Sequence, residues 1–277
     1  MLLNLNGKKF QKLGGRFFGV LGPVLLACLL GGCASFGTYN AATGRTEYIF
    51  ISTPEEVMMG RNLHKELNLQ YKFSSQVEGE KLKRLRRIGA RLAQVSDRQD
   101  YQYHFFLIKE KEFNAFTIPG GAIYFFEGLF DRLETDDQIA SVLAHEIGHC
   151  SARHTVKKYQ AALGYDLVSQ LIFDYVSMGD TTKTIATLSS DALMSLVFSA
   201  YSRKDEYEAD RLGVKYIYLA GYDLNAITDT LDILKEESGG TKSLLILRSH
   251  PYLDDRIEAV KEEIANIKTQ FGSGEGE

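Results

Sequence analysis

Apolar positions recur with a helical period over most of the chain, and strand-like patterns are confined to its middle. Residues 101–108, 115–118 and 122–126 are rich in strand-forming residues, and Pro119-Gly120-Gly121 forms a turn between the last two segments. The helical spacing predicts helices over 53–69, 76–96, 136–160, 163–178, 184–200, 203–220, 224–237 and 254–268. We therefore expect a mostly helical α+β domain with one small β-sheet.

Helix-terminus signals support several of these boundaries. Thr53 is followed by Pro54 and two glutamates, which is typical of a helix start with Thr53 as its cap. Thr135 followed three residues later by Gln138 predicts a capping box at the next long helix. Gly221 stands where a glycine commonly ends a helix. These signals predict where the central helices begin and end.

Composition and charge narrow the class of protein. The 277 residues are 44% hydrophobic and 25% charged, with a net charge of −4, as in ordinary globular proteins. This excludes a disordered or collagen-like chain and disfavours nucleic acid as the main partner. Six basic residues between Lys81 and Arg91 suit either phosphate binding or a solvated helix face, and we favour the solvated face.

The N-terminus has the pattern of a secretory signal. Basic residues precede an apolar stretch over 17–30, which is shorter than the roughly 20 residues of a membrane span. Residues 30–33, Leu-Gly-Gly-Cys, resemble a bacterial lipobox, which implies cleavage before Cys33 and its acylation. An ordinary signal peptide with a chance cysteine is the alternative. Ala34 in place of an aspartate favours the outer membrane over the inner one.

These signals suggest a domain organisation. We expect a signal peptide over 1–32, a lipidated tether over 33–52, one compact domain over 53–270 and a disordered tail over 271–277. Cys28 would leave with the signal, so Cys150 is the one free thiol and no internal disulfide is expected. We interpret Cys150 as a buried packing residue, although a ligand or redox role is the alternative.

The motif His145-Glu146-Ile147-Gly148-His149 lies within a strongly helical segment. Residues four apart share a helix face, so both imidazoles can reach one zinc ion. Glu146 is rotated by about 100° from His145, where it can accept a proton from water whose pKa the metal lowers. Two ordinary histidines on a surface helix are the alternative, and the apolar residues around the motif disfavour it.

A catalytic zinc site needs a third protein ligand, and the acidic segment 202–210 offers candidates. On a helical wheel Glu206 and Asp210 lie beside the apolar stripe of this segment, whereas Glu208 is expected to face water. Glu206 is therefore the better ligand, and Asp210 can orient a zinc-bound histidine through its outer nitrogen. A solvated acidic helix surface is the alternative.

The order of these motifs resembles a known family of zinc metallopeptidases. The resemblance covers roughly residues 40–262 and includes the segments 43–45, 55–61, 114–121, 145–154, 202–210 and 250–251. The family includes HtpX, the mitochondrial Oma protease, the prenyl protease Ste and the lipoproteins BepA, LoiP and YcaL. We find no multi-span region or helical repeat, so the small LoiP- and YcaL-like lipoproteins are most similar.

The resemblance implies a gluzincin-type domain with one zinc ion per chain. It implies His145, His149 and Glu206 as ligands, Asp210 beside them and Glu146 as the catalytic base. His250 would lie near the metal, either stabilising the oxyanion or filling the open position of a resting enzyme. Asn114, Ala115 and Phe116 look like the edge strand that binds substrate, although a merely buried strand is the alternative. His64, His104 and His154 are expected to be structural or solvated.

These expectations predict an endopeptidase of the bacterial cell envelope. It would be lipid-anchored, face the periplasm and hydrolyse envelope proteins in protein quality control. The first alternative is a chaperone-like lipoprotein whose cleft holds clients while the protease site stays latent. The second is a structural lipoprotein with an accidental HExxH motif.

Overall fold

The computed structural model describes residues 37–74, 79–164, 190–239 and 244–272. All functional geometry below lies within the compact unit 39–277. The predicted signal peptide, Cys33, the tail beyond 272 and most of the predicted helix 163–178 lie outside the described residues. Among the described helices, none has both the length and the apolar character needed to cross a membrane.

Helices dominate the described residues, and the predicted α+β class is confirmed. The helices are α1 (Thr53–Gln70), α2 (Glu80–Val95), α3 (Glu127–Arg132), α4 (Asp136–Ser151), α5 (Ser190–Phe198), α6 (Arg203–Ala220), α7 (Asn225–Ser238), α8 (Ile246–Ser249) and α9 (Leu253–Gly272). The strands are β1 (Thr38–Asn40), β2 (Arg45–Glu47), β3 (His104–Ile108), β4 (Ala115–Ile118) and β5 (Ala122–Phe126). Residues 154–164 are also helical.

A three-stranded sheet with the order β3-β5-β4 separates two apolar cores. Strand β5 runs parallel to β3 and antiparallel to β4. Because side chains alternate across a strand, Ile123 and Phe125 enter the core shared with α2, α4, α6 and α7. Tyr124 and Phe126 enter the smaller core under α1 and α5. The sheet therefore has both faces covered, and its strands read as continuous apolar runs.

Helix α4 packs closely against α6, and this contact brings the two candidate motifs together. Gly148 is at the point of closest approach, where an added Cβ would lie 2.7 Å from the carbonyl oxygen of Ala209. A larger residue at position 148 would force the helices apart, since backbone cannot yield as a flexible side chain can. The glycine of the HExxH motif is thus required by helix packing.

Most predicted helix boundaries agree with the structure. Thr135 and Gln138 form the expected capping box of α4, with the Gln138 N–H donating to the Thr135 hydroxyl at 3.1 Å. Gly221 ends α6 in the left-handed conformation, at φ 69°. The cap of α1 is Ser52 rather than Thr53, because the Glu55 carboxylate accepts from the Ser52 backbone N–H at 2.7 Å. That prediction was wrong by one residue.

The predicted continuous helix over 136–160 is wrong. Helix α4 ends at Ser151, and helical structure resumes at 154 after a turn in which Arg153 has a φ of 57°. The Arg153 guanidinium donates to the Ile51 carbonyl and forms an ion pair with the buried Glu56 at 3.0 Å. These tertiary contacts stabilise a left-handed residue that the apolar periodicity could not reveal.

The basic residues of α2 lie mainly on its solvated face, as predicted. Arg84 and Arg87 form ion pairs with Asp136 at the start of α4, both at 2.6 Å. The apolar side of α2 is buried, including Leu85 and Ile88. Two residues of the basic run, Arg84 and Arg87, therefore join α2 to the start of α4.

Within the predicted tether, residues 38–47 carry the β1–β2 hairpin. Asn40 donates to the Ser151 carbonyl oxygen at 3.2 Å, and Arg45 forms an ion pair with Glu208 of α6 at 2.8 Å. Glu47 is buried and accepts from Lys157 at 2.6 Å. This segment is thus attached to the elements that surround the HExxH helix.

Candidate metal centre

Four side chains from three parts of the chain converge in the interior. His145 and His149 come from α4, Glu206 comes from the first turn of α6, and His250 follows α8. One donor atom of each lies within 4.8 Å of the others. The four are buried, so their polar atoms need partners.

The spacing of the donor atoms suits a tetrahedral zinc site. Bonds of about 2.0–2.1 Å to zinc imply donor separations of roughly 3.3–3.4 Å. His145 Nε2 is 3.0 Å from His149 Nε2 and 3.6 Å from Glu206 Oε2. His149 Nε2 is 3.5 Å from Glu206 Oε1. Two imidazoles and one carboxylate, all pointing to one place at these separations, match the donor set of catalytic zinc.

Glu146 lies beside the cluster rather than in it. Its side chain is 1% exposed, and neither carboxylate oxygen makes a hydrogen bond to any described residue. His250 Nε2 is 3.5 Å from Glu146 Oε1. Burial raises the pKa of the Glu146 carboxyl above its ordinary value. A buried carboxyl group without a hydrogen-bond partner lowers the stability of the fold, and such groups are common at functional sites. Glu146 is therefore a functional candidate.

The outer nitrogen of His145 is held by Asp210, at 2.8 Å between Nδ1 and Oδ1. Arg256 of α9 donates to both carboxylate oxygens of Asp210, each at 2.7 Å, and pairs with Glu206 at 2.9 Å. Burial alone would raise the pKa of Glu206, but the charges of Arg256 and His250 lower it well below its ordinary value. Arg256 therefore keeps the two buried acids ionised.

Sequence reasoning missed Arg256, because it lies more than forty residues from either acidic partner and carries no motif of its own. Its signal is a lone arginine on the apolar side of an amphipathic helix. Such a residue is rarely buried without an acidic partner. The sequence therefore indicates that Arg256 has a buried acidic partner, but it does not show which acid that is.

The expectation for Glu208 was wrong, whereas His154 is buried and hydrogen-bonded, which agrees with the structural one of its two expected roles. Glu208 does not face water: it is 8% exposed and accepts from His154 Nε2 at 3.2 Å and from Arg45 at 2.8 Å. His154 is 1% exposed, and its Nδ1 lies 2.8 Å from Nδ1 of His149. Burial opposes ionisation of Glu208, yet His154 and Arg45 lower its pKa to about 2. The helix break at 152–153 turns His154 back towards His149.

His250 reaches the cluster from the loop after α8. Its Nδ1 is 3.2 Å from His145 Nε2 and 3.1 Å from Glu206 Oε1. Burial alone would lower its pKa, but the charges of Glu206 and Glu146 raise it above the ordinary value. These distances put Nδ1 where a fourth donor belongs, and Nε2 faces Glu146.

Asn114, Ala115 and Phe116 are buried, and β4 lies at one edge of the three-stranded sheet, as the sequence predicted. The Phe116 ring stacks on Tyr124 and meets Phe198 of α5, both at 4.9 Å between centroids. The Phe116 side chain thus belongs to the smaller core. Substrate binding by this strand stays a prediction, and it would use the main-chain groups at the free edge of β4.

Cys150 is free and buried, as expected for a packing residue. Its Sγ lies 2.8 Å from the Thr117 hydroxyl of β4. Burial raises the pKa of the Cys150 thiol to about 12, so little reactive thiolate is present.

An α+β fold in which an HExxH helix packs on a second helix carrying a buried glutamate defines the metallopeptidase class. The model of Peptidase family M48 matches residues 80–264. The chain belongs to this family.

Curated relatives also match this chain. It is 29% identical over 190 residues to the mitochondrial metalloendopeptidase OMA1 of Schizosaccharomyces pombe, covering 64% of this chain and 51% of the relative. It is 28% identical over 182 residues to the beta-barrel assembly-enhancing protease of Escherichia coli, covering 61% and 36%. It is 25% identical over 254 residues to OMA1 of Saccharomyces cerevisiae, covering 84% and 72%. The chain spans about half of the first relative and about a third of the second.

Proposed function

We propose that the protein is a zinc-dependent endopeptidase of the bacterial cell envelope that acts in protein quality control. The observation that carries the proposal is the convergence of His145, His149 and Glu206, whose donor atoms lie 3.0–3.6 Å from one another. Glu146, whose carboxylate oxygens make no hydrogen bond to a described residue, lies beside them. Family membership and the names of the relatives support a metalloprotease. Polypeptides are the corresponding substrates.

The proposed mechanism assigns one task to each residue. His145, His149 and Glu206 would hold one zinc ion, which supplies Lewis-acid chemistry for the scissile carbonyl and for water. Glu146 accepts the proton of the attacking water on its carboxylate and then delivers it to the leaving amine. Asp210 orients the His145 ring by accepting from Nδ1. Arg256 keeps Glu206 and Asp210 ionised so that both carboxylates remain acceptors.

Removal of the metal should abolish activity reversibly. A chelator such as 1,10-phenanthroline is expected to stop cleavage of casein by the purified chain, and one equivalent of zinc should restore it. The physical reason is that Glu146 alone cannot sufficiently activate a water whose pKa is near 16. Casein cleavage by protein shown to be metal-free would contradict the proposal, and a serine-protease inhibitor provides the control for a contaminant.

We further propose that the chain is lipid-anchored at Cys33, faces the periplasm and favours the outer membrane. The lipobox-like sequence before Cys33 and the alanine after it support this. The name of the Escherichia coli relative, a beta-barrel assembly-enhancing protease, supports an envelope role. Mass spectrometry of the chain purified from bacterial membranes should find an N-terminus at an acylated Cys33. A mature protein that starts elsewhere and is not acylated would refute the anchor.

A second candidate is a client-binding lipoprotein whose protease site is latent. The observation that favours it is His250, whose Nδ1 is close enough to His145 and Glu206 to act as a fourth donor. A filled fourth position leaves no room for the substrate carbonyl in a tetrahedral site. In this state the cleft could hold a polypeptide without cutting it. The variants described in the Discussion separate the two candidates.

A further inference from the structure

We propose that His154 is a positioning residue that fixes the tautomer of His149, so that the Nε2 lone pair of His149 faces the metal. The inference rests on the proposed metal site and adds a residue outside the HExxH motif and its acidic partner. Its basis is a chain of contacts that runs from the buried His149 through His154 and Glu208 to Arg45 near the surface.

The chain is continuous, and its His149, His154 and Glu208 members are buried, whereas Arg45 at its end is partly exposed. His149 Nδ1 is 2.8 Å from His154 Nδ1, His154 Nε2 is 3.2 Å from Glu208 Oε2, and the same Glu208 oxygen is 2.8 Å from Arg45 Nη2. The two histidines are 0% and 1% exposed, so water does not compete for their nitrogens. Stacking of Tyr201 on the His149 ring, at 3.9 Å between centroids, further restricts that ring.

The direction of each hydrogen bond follows from the fixed end of the chain. The ion pair with Arg45 keeps Glu208 a carboxylate, which can only accept, so His154 Nε2 must donate to it. The 2.8 Å contact between the two Nδ1 atoms needs one donor and one acceptor, and His154, with its hydrogen on Nε2, is the acceptor. His149 Nδ1 therefore donates to His154, which leaves the lone pair of His149 on Nε2.

The atom selected in this way is the one that points into the donor cluster. His149 Nε2 is 3.0 Å from His145 Nε2 and 3.5 Å from Glu206 Oε1. With the opposite tautomer, His149 Nε2 would carry a hydrogen and could not bind a metal ion. Asp210 does the same for His145 with a carboxylate, so the two rings are oriented by different chemistry.

The break in the HExxH helix explains how His154 can reach His149. In a continuous helix a residue five positions on is rotated by about 140° and faces away. The left-handed backbone of Arg153 interrupts the helix, so this rotation no longer applies to His154. The Arg153 side chain donates to Glu56 and to the Ile51 carbonyl oxygen. The turn at 152–153 therefore has a specific consequence, the return of the His154 ring to the metal helix.

Two substitutions, each of which places an amide group at the position of one His154 ring nitrogen, test whether His154 Nδ1 accepts from His149. In His154→Asn the amide oxygen occupies the position of Nδ1 and can still accept from His149. In His154→Gln the amide group occupies the position of Nε2, so contact with Glu208 survives and the acceptor for His149 is lost. Both are polar amides, so differences in burial cost are small. His64→Gln is the matched control, since His64 Nδ1 bonds Tyr124 in the smaller core.

Zinc dissociation constants of the purified full chain should be measured by competition with a chromophoric chelator. We expect His154→Gln to weaken binding by about 10–100-fold, the usual effect of losing the partner of a metal-binding histidine. His154→Asn and His64→Gln should stay close to the wild type. Thermal unfolding of the metal-free proteins should not separate the Asn and Gln variants, because the acceptor matters for the metal and not for the fold.

Equal zinc affinities of the Asn and Gln variants would overturn the assignment, whether both match the wild type or both fall. A wild-type chain that binds no zinc would instead overturn the proposed function and this inference together. The wild-type constant therefore tests the metal site, and the difference between the Asn and Gln variants tests His154 alone.

Discussion

Glu146→Gln is expected to abolish peptide-bond hydrolysis while the chain keeps its metal. The amide cannot accept the proton of the attacking water, and loss of a general base costs about 10²–10⁴-fold in rate. The fold should tolerate the change, because neither Glu146 oxygen bonds to a described residue. Casein cleavage should be measured together with metal content by plasma mass spectrometry. We expect a large fall in kcat with the zinc content unchanged.

A matched Glu→Gln control is available on the surface. Glu237 of α7 forms an ion pair with Arg132 of α3 and has no contact with the metal cluster. Glu237→Gln should keep wild-type activity, since exposed ion pairs contribute little. Hydrolysis by Glu146→Gln at the wild-type rate would refute its role as the base. Rescue of an envelope defect by the inactive Glu146→Gln protein would favour client binding over proteolysis.

Glu206→Gln is expected to remove the metal itself. Glu206 is 0% exposed and contributes the one carboxylate oxygen donor of the cluster. Its replacement by a neutral amide removes the negative charge of the donor set and leaves Arg256 facing the site without that carboxylate. We expect zinc affinity to fall by more than about 100-fold, a larger loss than removal of an outer hydrogen-bond partner causes. Titration with a chromophoric chelator measures it.

His250→Ala provides the comparison for Glu206→Gln. If His250 serves only as a fourth donor in the resting site, its removal should leave zinc bound by three ligands and should raise kcat. A fall in kcat at full zinc content would instead indicate that His250 stabilises the developing oxyanion. Wild-type zinc affinity in Glu206→Gln would rule out Glu206 as a ligand.

The sequence alone determined the fold class and the participants in the centre of the site. The helical period identified α4 and α6, the turn at 119–121 identified the β4–β5 hairpin, and the capping box located the start of the HExxH helix. Helical-wheel geometry also selected Glu206 and Asp210, both of which are buried beside the histidines. The positions of these elements and side chains follow from the sequence because each depends on a period or spacing within one element.

Helical-wheel reasoning failed where a tertiary contact overrides local geometry. Glu208 was expected to face water because its own helix leaves it off the apolar stripe. The side chain is instead covered by Arg45 from the β1–β2 hairpin and by His154. Neither partner lies on α6, so no periodicity within α6 contains that information.

The contacts between distant segments are decided only by the tertiary structure. Arg256 meets Asp210 and Glu206 because α9 packs on α6, and His154 meets His149 because Arg153 interrupts the helix. A local sequence pattern reports which face of an element is apolar, but not which element will cover it. The sequence therefore determines the residues that can bind a metal, and the packing of distant helices determines which charges and hydrogen bonds orient them.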